Sequence, residues 1–278
     1  MSSVIDILSD DYYNIHIKNN FDFIVRLLMK RLILEVCCGS ADDVIQAHKA
    51  GAQRVELNSN LFHGGLTPSI GSLRVAKRET SMSIMTMVRP REGGFCYTNA
   101  EFATAVEDAH ALLDHGADGL VFGFLNPDGT LDCDRTRVLA EIAQDAGKET
   151  VFHRAIDVVP DWKATLDALI DLKITRVLTS GQEPDVFYGA DTVREMIEYA
   201  AGRIQILPGA GITLRNMDRI IAQTRCDQIH LAAHKSLNDT SVSSNRSIYY
   251  GSCLYPPEDR FNIIDCDYIG KVARGLAD

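Results

Sequence analysis

From Arg31 onward, short runs rich in apolar and β-branched residues alternate with longer stretches whose apolar residues recur at helical spacing. The short runs predict strands over Leu32–Cys38, Arg54–Asn58, Ser83–Pro90, Gly119–Leu125, Thr150–Asp157, Arg176–Gly181, Ile204–Ile212 and Gln228–His234. The longer stretches predict helices over Ser40–Ala50, Ser69–Arg78, Thr98–His115, Asp132–Ala146, Asp161–Leu172, Asp191–Ala201 and Thr213–Thr224. A last helix is predicted over Arg260–Leu276. Their ends carry stop and start signals. Ser40 and Thr213 suit N-caps, Thr98-Asn99-Ala100-Glu101 reads as a capping box, and Gly116, Gly147 and Gly202 close helices.

Strands alternating with helices in this way imply βαβ units and a parallel sheet. Eight units in about 250 residues match a closed (β/α)8 TIM-like barrel of the α/β class. The rival is an open doubly wound sheet, which usually carries a glycine fingerprint after its first strand. Here that strand ends Cys37-Cys38-Gly39-Ser40-Ala41, with no GxGxxG. The barrel is the expected fold. Residues 1–30 fall outside the pattern and read as an N-terminal extension, a tail or a packing helix, with residues 31–278 as the single barrel domain. The Ser- and Asn-rich residues 235–256 read as a long loop or lid.

Composition narrows the partners. The 278-residue chain carries 38 acidic against 28 basic residues, a formal charge of −10, which disfavours nucleic acid and anionic lipid. No stretch approaches the ~18 uninterrupted apolar residues of a membrane-spanning helix. Asp6, Asp10 and Asp11 stand where a secretory signal would be basic and then apolar. Seven cysteines without a CxxC are expected as free thiols in a reducing cytoplasm.

Strand phase supplies the candidate chemistry. Both faces of a parallel strand are buried, so a charge on either face needs a partner. Leu34 and Val36 oppose Glu35 and Cys37, and Val55 and Leu57 oppose Glu56 and Asn58. Arg89 shares a phase with Met85 and Met87, His153 with Asp157, and His230 with His234. With the apolar phase facing the helices, Glu35, Glu56, Arg89, His153, Asp157 and His230 are expected to converge at the barrel mouth. There, Glu35, Glu56, His153, Asp157 and His230 would serve acid–base chemistry on a small anionic ligand, phosphorylated ones included. Arg89 and Arg91 would bind the anion together with Gly209 and Gly211, which lie in a turn after strand seven where barrels often hold phosphate. A soft-metal reading stands beside this one, with thiols and nearby methionines selecting Cu(I). Adjacent Cys37 and Cys38 point to opposite faces and are poorly placed to chelate one ion.

The chain resembles the CutC copper-homeostasis family from about Leu32 to the C-terminus. The resemblance rests on Leu34-Glu35-Val36-Cys37, Gly51-Ala52-Gln53-Arg54-Val55-Glu56-Leu57, Gly64-Gly65-Leu66-Thr67-Pro68-Ser69 and Arg89-Pro90-Arg91. Phe152-His153-Arg154-Ala155-Ile156-Asp157, Pro208-Gly209-Ala210-Gly211-Ile212 and His230 extend it. It implies a TIM-like barrel, a cytoplasmic location and a role in copper binding, with Cys37 as the expected Cu(I) ligand. The position where copper-binding members are thought to carry a second thiol is Asn58 in this chain. Two functions therefore stay open, a copper-homeostasis protein and a barrel enzyme. The expected partner is a metal ion or small anion, and assembly into a homo-oligomer is left open.

Overall fold

The computed structural model describes residues 32–245, 247–251 and 257–276, so the extension expected over residues 1–30 lies outside the described residues. Its elements run β1 (Ile33–Cys38), α1 (Ala41–Lys49), β2 (Arg54–Leu57), α2 (Ile70–Glu79), β3 (Ser83–Met87), α3 (Asn99–Asp114), β4 (Gly119–Phe122) and α4 (Cys133–Asp145). They continue β5 (Glu149–Phe152), α5 (Trp162–Asp171), β6 (Arg176–Thr179), α6 (Val186–Ala200), β7 (Gln205–Pro208), α7 (Met217–Thr224) and β8 (Gln228–Leu231). A hairpin of β9 (His234–Asn238) and β10 (Arg260–Ile264) and the helix α8 (Cys266–Gly275) complete the chain.

The Ser40 and Thr98 capping signals act as expected, whereas Thr213 does not cap a helix: α7 starts at Met217, after Asn216. The Ser40 side chain accepts from Asp43 N, and Thr98 and Glu101 close the reciprocal capping box at the start of α3. The eight parallel strands lie side by side in the order β7-β6-β5-β4-β3-β2-β1-β8. The ends of this sheet, β7 and β8, pack against each other, and Gln228 Nε2 donates to Gln205 Oε1 across the seam at 3.4 Å. The fold is a (β/α)8 barrel.

Two apolar layers result from the alternation of side chains along each strand. Leu34, Val36, Val55, Leu57, Ile84, Leu120, Phe122 and Val177 point outward into the main core beneath the helices. Met85, Met87, Val121, Val151, Leu178 and Leu207 form a separate, smaller cluster inside the barrel.

Several expected boundaries are corrected; strand seven, for one, ends at Pro208 and does not reach Ile212. Strand five does not run to Asp157; it ends at Phe152 and gives way to a 3₁₀ turn over Arg154–Val158. The His153 ring caps that turn, its Nδ1 accepting from Ala155 N at 3.1 Å, which ends the extended backbone. The last helix starts at Cys266 because Asp265 caps it, accepting from Tyr268 N. The residues before it, Arg260–Ile264, pair antiparallel with β9 instead, so part of the expected lid is a hairpin. Buried Asp43 ties that hairpin to the barrel, accepting from Ile264 N at 2.7 Å and from Gly39 N at 2.9 Å. Helix α6 begins at Val186, five residues early, with Asp185 as its cap.

Candidate functional site

Inward phase brings Glu35 and Cys37 of β1, Glu56 of β2 and His230 of β8 together, because β1 lies between β2 and β8. Register pairs Cys37 with Glu56 and Glu35 with His230. Ligand-capable atoms of Cys37, Glu56 and His230 all lie within 4.8 Å of one another. Cys37 Sγ stands 3.7 Å from Glu56 Oε2, and Glu35 Oε1 meets His230 Nδ1 at 2.8 Å. That bond fixes the imidazole and leaves Nε2 for a ligand.

Asn58 completes the group from the position just after β2. Its Nδ2 donates to Glu56 Oε2 at 2.9 Å and lies 3.6 Å from Cys37 Sγ. The carboxamide thus orients both neighbours in the place where the resemblance anticipates a thiol. Cys38 faces the other way, buried in the outer core with its Sγ against Val36 O.

Each titratable group is displaced from its ordinary range. Burial opposes ionisation of Glu35, but the Arg54 guanidinium and the His230 hydrogen bond outweigh it and hold the carboxyl at about 2. Burial disfavours the His230 cation too, yet the Glu35 hydrogen bond and the charges of Glu56 and Glu35 raise its pKa. Glu56 moves up, through burial above all, with His230 pulling the other way and Glu35 adding to the rise. Burial, then the adjacent Glu56 carboxylate, pushes the Cys37 thiol well above its usual range. The cluster therefore holds protons that a cation would have to displace.

A polar floor supports it. Arg54 Nε donates to Glu35 Oε2, and Arg54 Nη2 to Gln228 Oε1 at 2.7 Å. Arg176 bridges Gln205 Oε1 at 3.0 Å and Glu149 Oε2 at 2.8 Å. Sequence reasoning missed Arg54, Arg176, Gln205 and Gln228. They lie two residues before Glu56, Leu178, Leu207 and His230 on the inward phase, so extending the period of two one step back finds them.

The remaining expected residues lie elsewhere. His153 and Arg89 sit at the ends of β5 and β3, both against the ring of Phe95, at 4.7 Å between ring centroids and 5.5 Å from the guanidinium carbon. Arg89 donates to the carbonyls of His63, Gly65 and Gly93, and its Nε is buried without a partner. His153 Nε2 is likewise buried and unpartnered, and burial with the nearby Arg89 charge presses its pKa to about 3. Asp157 sits in the 3₁₀ turn, where Arg154 Nε, Thr179 Oγ1 and Ser180 N all donate to it. Its carboxylate fastens the β6 loop and stands apart from the Cys37 group. Arg91 is engaged with Glu101 Oε1 at 2.7 Å and with the carbonyls of Glu92, Gly94 and Cys96. At the strand-seven turn, Gly209 lies against His230, while Gly211 lies against the Asp185 carboxylate. A negative group occupies the ground beside that turn.

Comparison with known proteins follows the same lines. The profile of the CutC family matches residues 32–235. A CutC family protein of Treponema denticola is 54% identical over 248 residues, covering 89% of this chain and 100% of its own length. The human copper homeostasis protein cutC homolog is 36% identical over 233 residues, covering 84% of this chain and 85% of its own. The crystal structure of CutC from Streptococcus agalactiae superposes with a TM-score of 0.68 at 33% identity, covering 72% of this chain and 98% of that one.

Proposed function

The chain belongs to the CutC family, and from that premise we propose that it serves copper homeostasis in the cytoplasm by binding copper at the barrel mouth. Copper is the cargo. The observation that carries the proposal is the convergence of Cys37, Glu56 and His230 on one spot. A thiolate and an imidazole nitrogen suit Cu(I), and the Glu56 carboxylate is a harder third donor. Glu35 stands behind His230 as the carboxylate that orients a metal-binding imidazole. Asn58 holds the Cys37–Glu56 pair in place of a second thiol. The site thus offers one soft anionic ligand, and the thiol must lose its proton for binding, so affinity rises with pH.

Titration of Cu(I) against a competing chelator tests this. Cys37→Ala is expected to abolish binding, and Glu35→Gln to weaken it by about 10–100-fold. Unchanged affinity in Cys37→Ala overturns the assignment.

One observation favours a second reading, acid–base chemistry on a small ligand. His230, oriented by Glu35 and made more basic, stands beside a Glu56 carboxyl that retains its proton more readily. Such a pair of displaced groups is what proton transfer requires. Turnover of a metabolite by the metal-free protein that is lost in His230→Gln would establish it.

A further inference from the structure

Arg89 is a buried cation without a counter-ion. It is 6% exposed, its two Nη atoms donate to neutral carbonyls, and no carboxylate of the described residues lies within ion-pair distance of it. Its Nε–H has no acceptor. A charge kept from water ordinarily has an opposite charge or a ligand beside it.

His153 shows a matching deficit. Its Nδ1 accepts from Ala155 N, so the neutral ring carries its proton on Nε2, and that N–H is buried without an acceptor. The ring lies across Gly123, where any Cβ would overlap it, and so leans from the end of β5 over β4 toward β3, the strand that carries Arg89. Phe95 touches both side chains from above, on a loop that includes Gly93 and Gly94. The Tyr97 hydroxyl, two residues further on, is also buried; the Arg89 guanidinium is its polar neighbour, and it lacks a well-formed hydrogen bond.

We infer that Arg89 Nε and His153 Nε2 form the donor pair of a second site at the barrel mouth, which takes a small monocarboxylate beneath Phe95. The charge count selects that class. One guanidinium beside a neutral imidazole balances one negative charge, and the carboxylates of Glu35 and Glu56 deeper in the barrel disfavour a dianion. Two N–H donors match the two oxygens of a carboxylate. This site involves the ends of β3 and β5 and shares no residue with the Cys37, Glu56 and His230 group, and it stands or falls without copper.

Metal-free protein labelled with ¹⁵N at histidine is titrated with sodium acetate, with sodium phosphate and sodium chloride at equal ionic strength as the other arms. Acetate is expected to move the His153 Nε2–H resonance saturably, and chloride to leave it in place. His153→Asn keeps an acceptor for Ala155 N and withdraws the donor from the Nε2 position, since the shorter carboxamide does not reach it; it is expected to weaken acetate binding, read by calorimetry, about ten-fold. Phe95→Ala opens the cover and is expected to retain binding with faster exchange. Absence of a saturable acetate response in both wild type and Phe95→Ala overturns the proposal, and means that Arg89 and Tyr97 satisfy each other. An equal response to phosphate overturns the monocarboxylate assignment. Full affinity in a folded His153→Asn removes His153 from the site.

Discussion

His153 shows how one buried side chain sets a pH response. The unfolded imidazole takes a proton near 6.5, whereas the folded one refuses it until about 3. Between those values the unfolded state binds more protons, so stability falls as pH drops. From pH 7 to pH 5 this one residue removes about 2 kcal/mol. Glu56 and His230 act in the opposite sense, since their raised pKa values favour the folded state below their ordinary range and lose that contribution as pH rises. The informative measurement is therefore a difference: urea unfolding of wild type against His153→Asn at several pH values. The variant is expected to lack the acid slope, and parallel curves would show that the ring is not held neutral. His153 was legible in the sequence as an inward ionisable residue. Its neutrality was not, because that follows from burial and from Arg89, 64 positions away in sequence by number alone but a neighbour in the barrel.

At the scale of elements, the loops after the strands are fixed by close backbone approaches. Helix α6 meets the end of β6 where Gly189 lies against the Ser180 carbonyl and Gly181 against the Gly189 carbonyl. Gly181 also has a φ of +76°, a left-handed conformation that side chains rarely adopt. A Cβ on Gly189 would overlap backbone, which cannot rotate away as a side-chain tip can. Gly189→Ala is expected to destabilise by about 3 kcal/mol, seen as a lowered urea midpoint with an unchanged slope. An unshifted midpoint would mean that α6 is free to slide. This contact also explains why the helix starts early. Asp185 caps it from beside Gly211, and the apolar periodicity after Asp191 carries no sign of those extra residues. The β9–β10 hairpin was hidden for a similar reason. Its strands are separated by more than twenty residues, and Asp43 of α1, far away in sequence, accepts from the backbone of β10.

For the whole molecule, the barrel interior carries a charged layer under the site. Arg54 is the hinge of that layer, joining Glu35 to Gln228 and, through Gln205, to Arg176. Arg54→Met leaves the Glu35 carboxylate buried without its cation, and a loss of about 3–5 kcal/mol in unfolding free energy is expected. Adding Glu35→Leu should recover much of it, since the second change removes the stranded charge. If the single variant is as stable as wild type, the floor is not holding the mouth in place. The same layer orients His230 through Glu35, so packing at the centre of the barrel and chemistry at its rim are one network.

The sequence alone determined the eight-fold alternation of strand and helix, the caps, and the phase that turns Glu35, Cys37, Glu56 and His230 inward. Those features depend on the local periods of 2 and 3.6 residues, which a linear chain displays directly. Tertiary structure decided which inward residues meet. Closing the sheet put β8 beside β1 and so joined His230 to Glu35, residues 195 positions apart. It also ended β5 at Phe152, set Asp157 among loop donors, and left Arg89 without an opposite charge. Proximity in a barrel is fixed by strand order and register, and solvation by what covers each side chain, and neither is written in the spacing of residues along one strand.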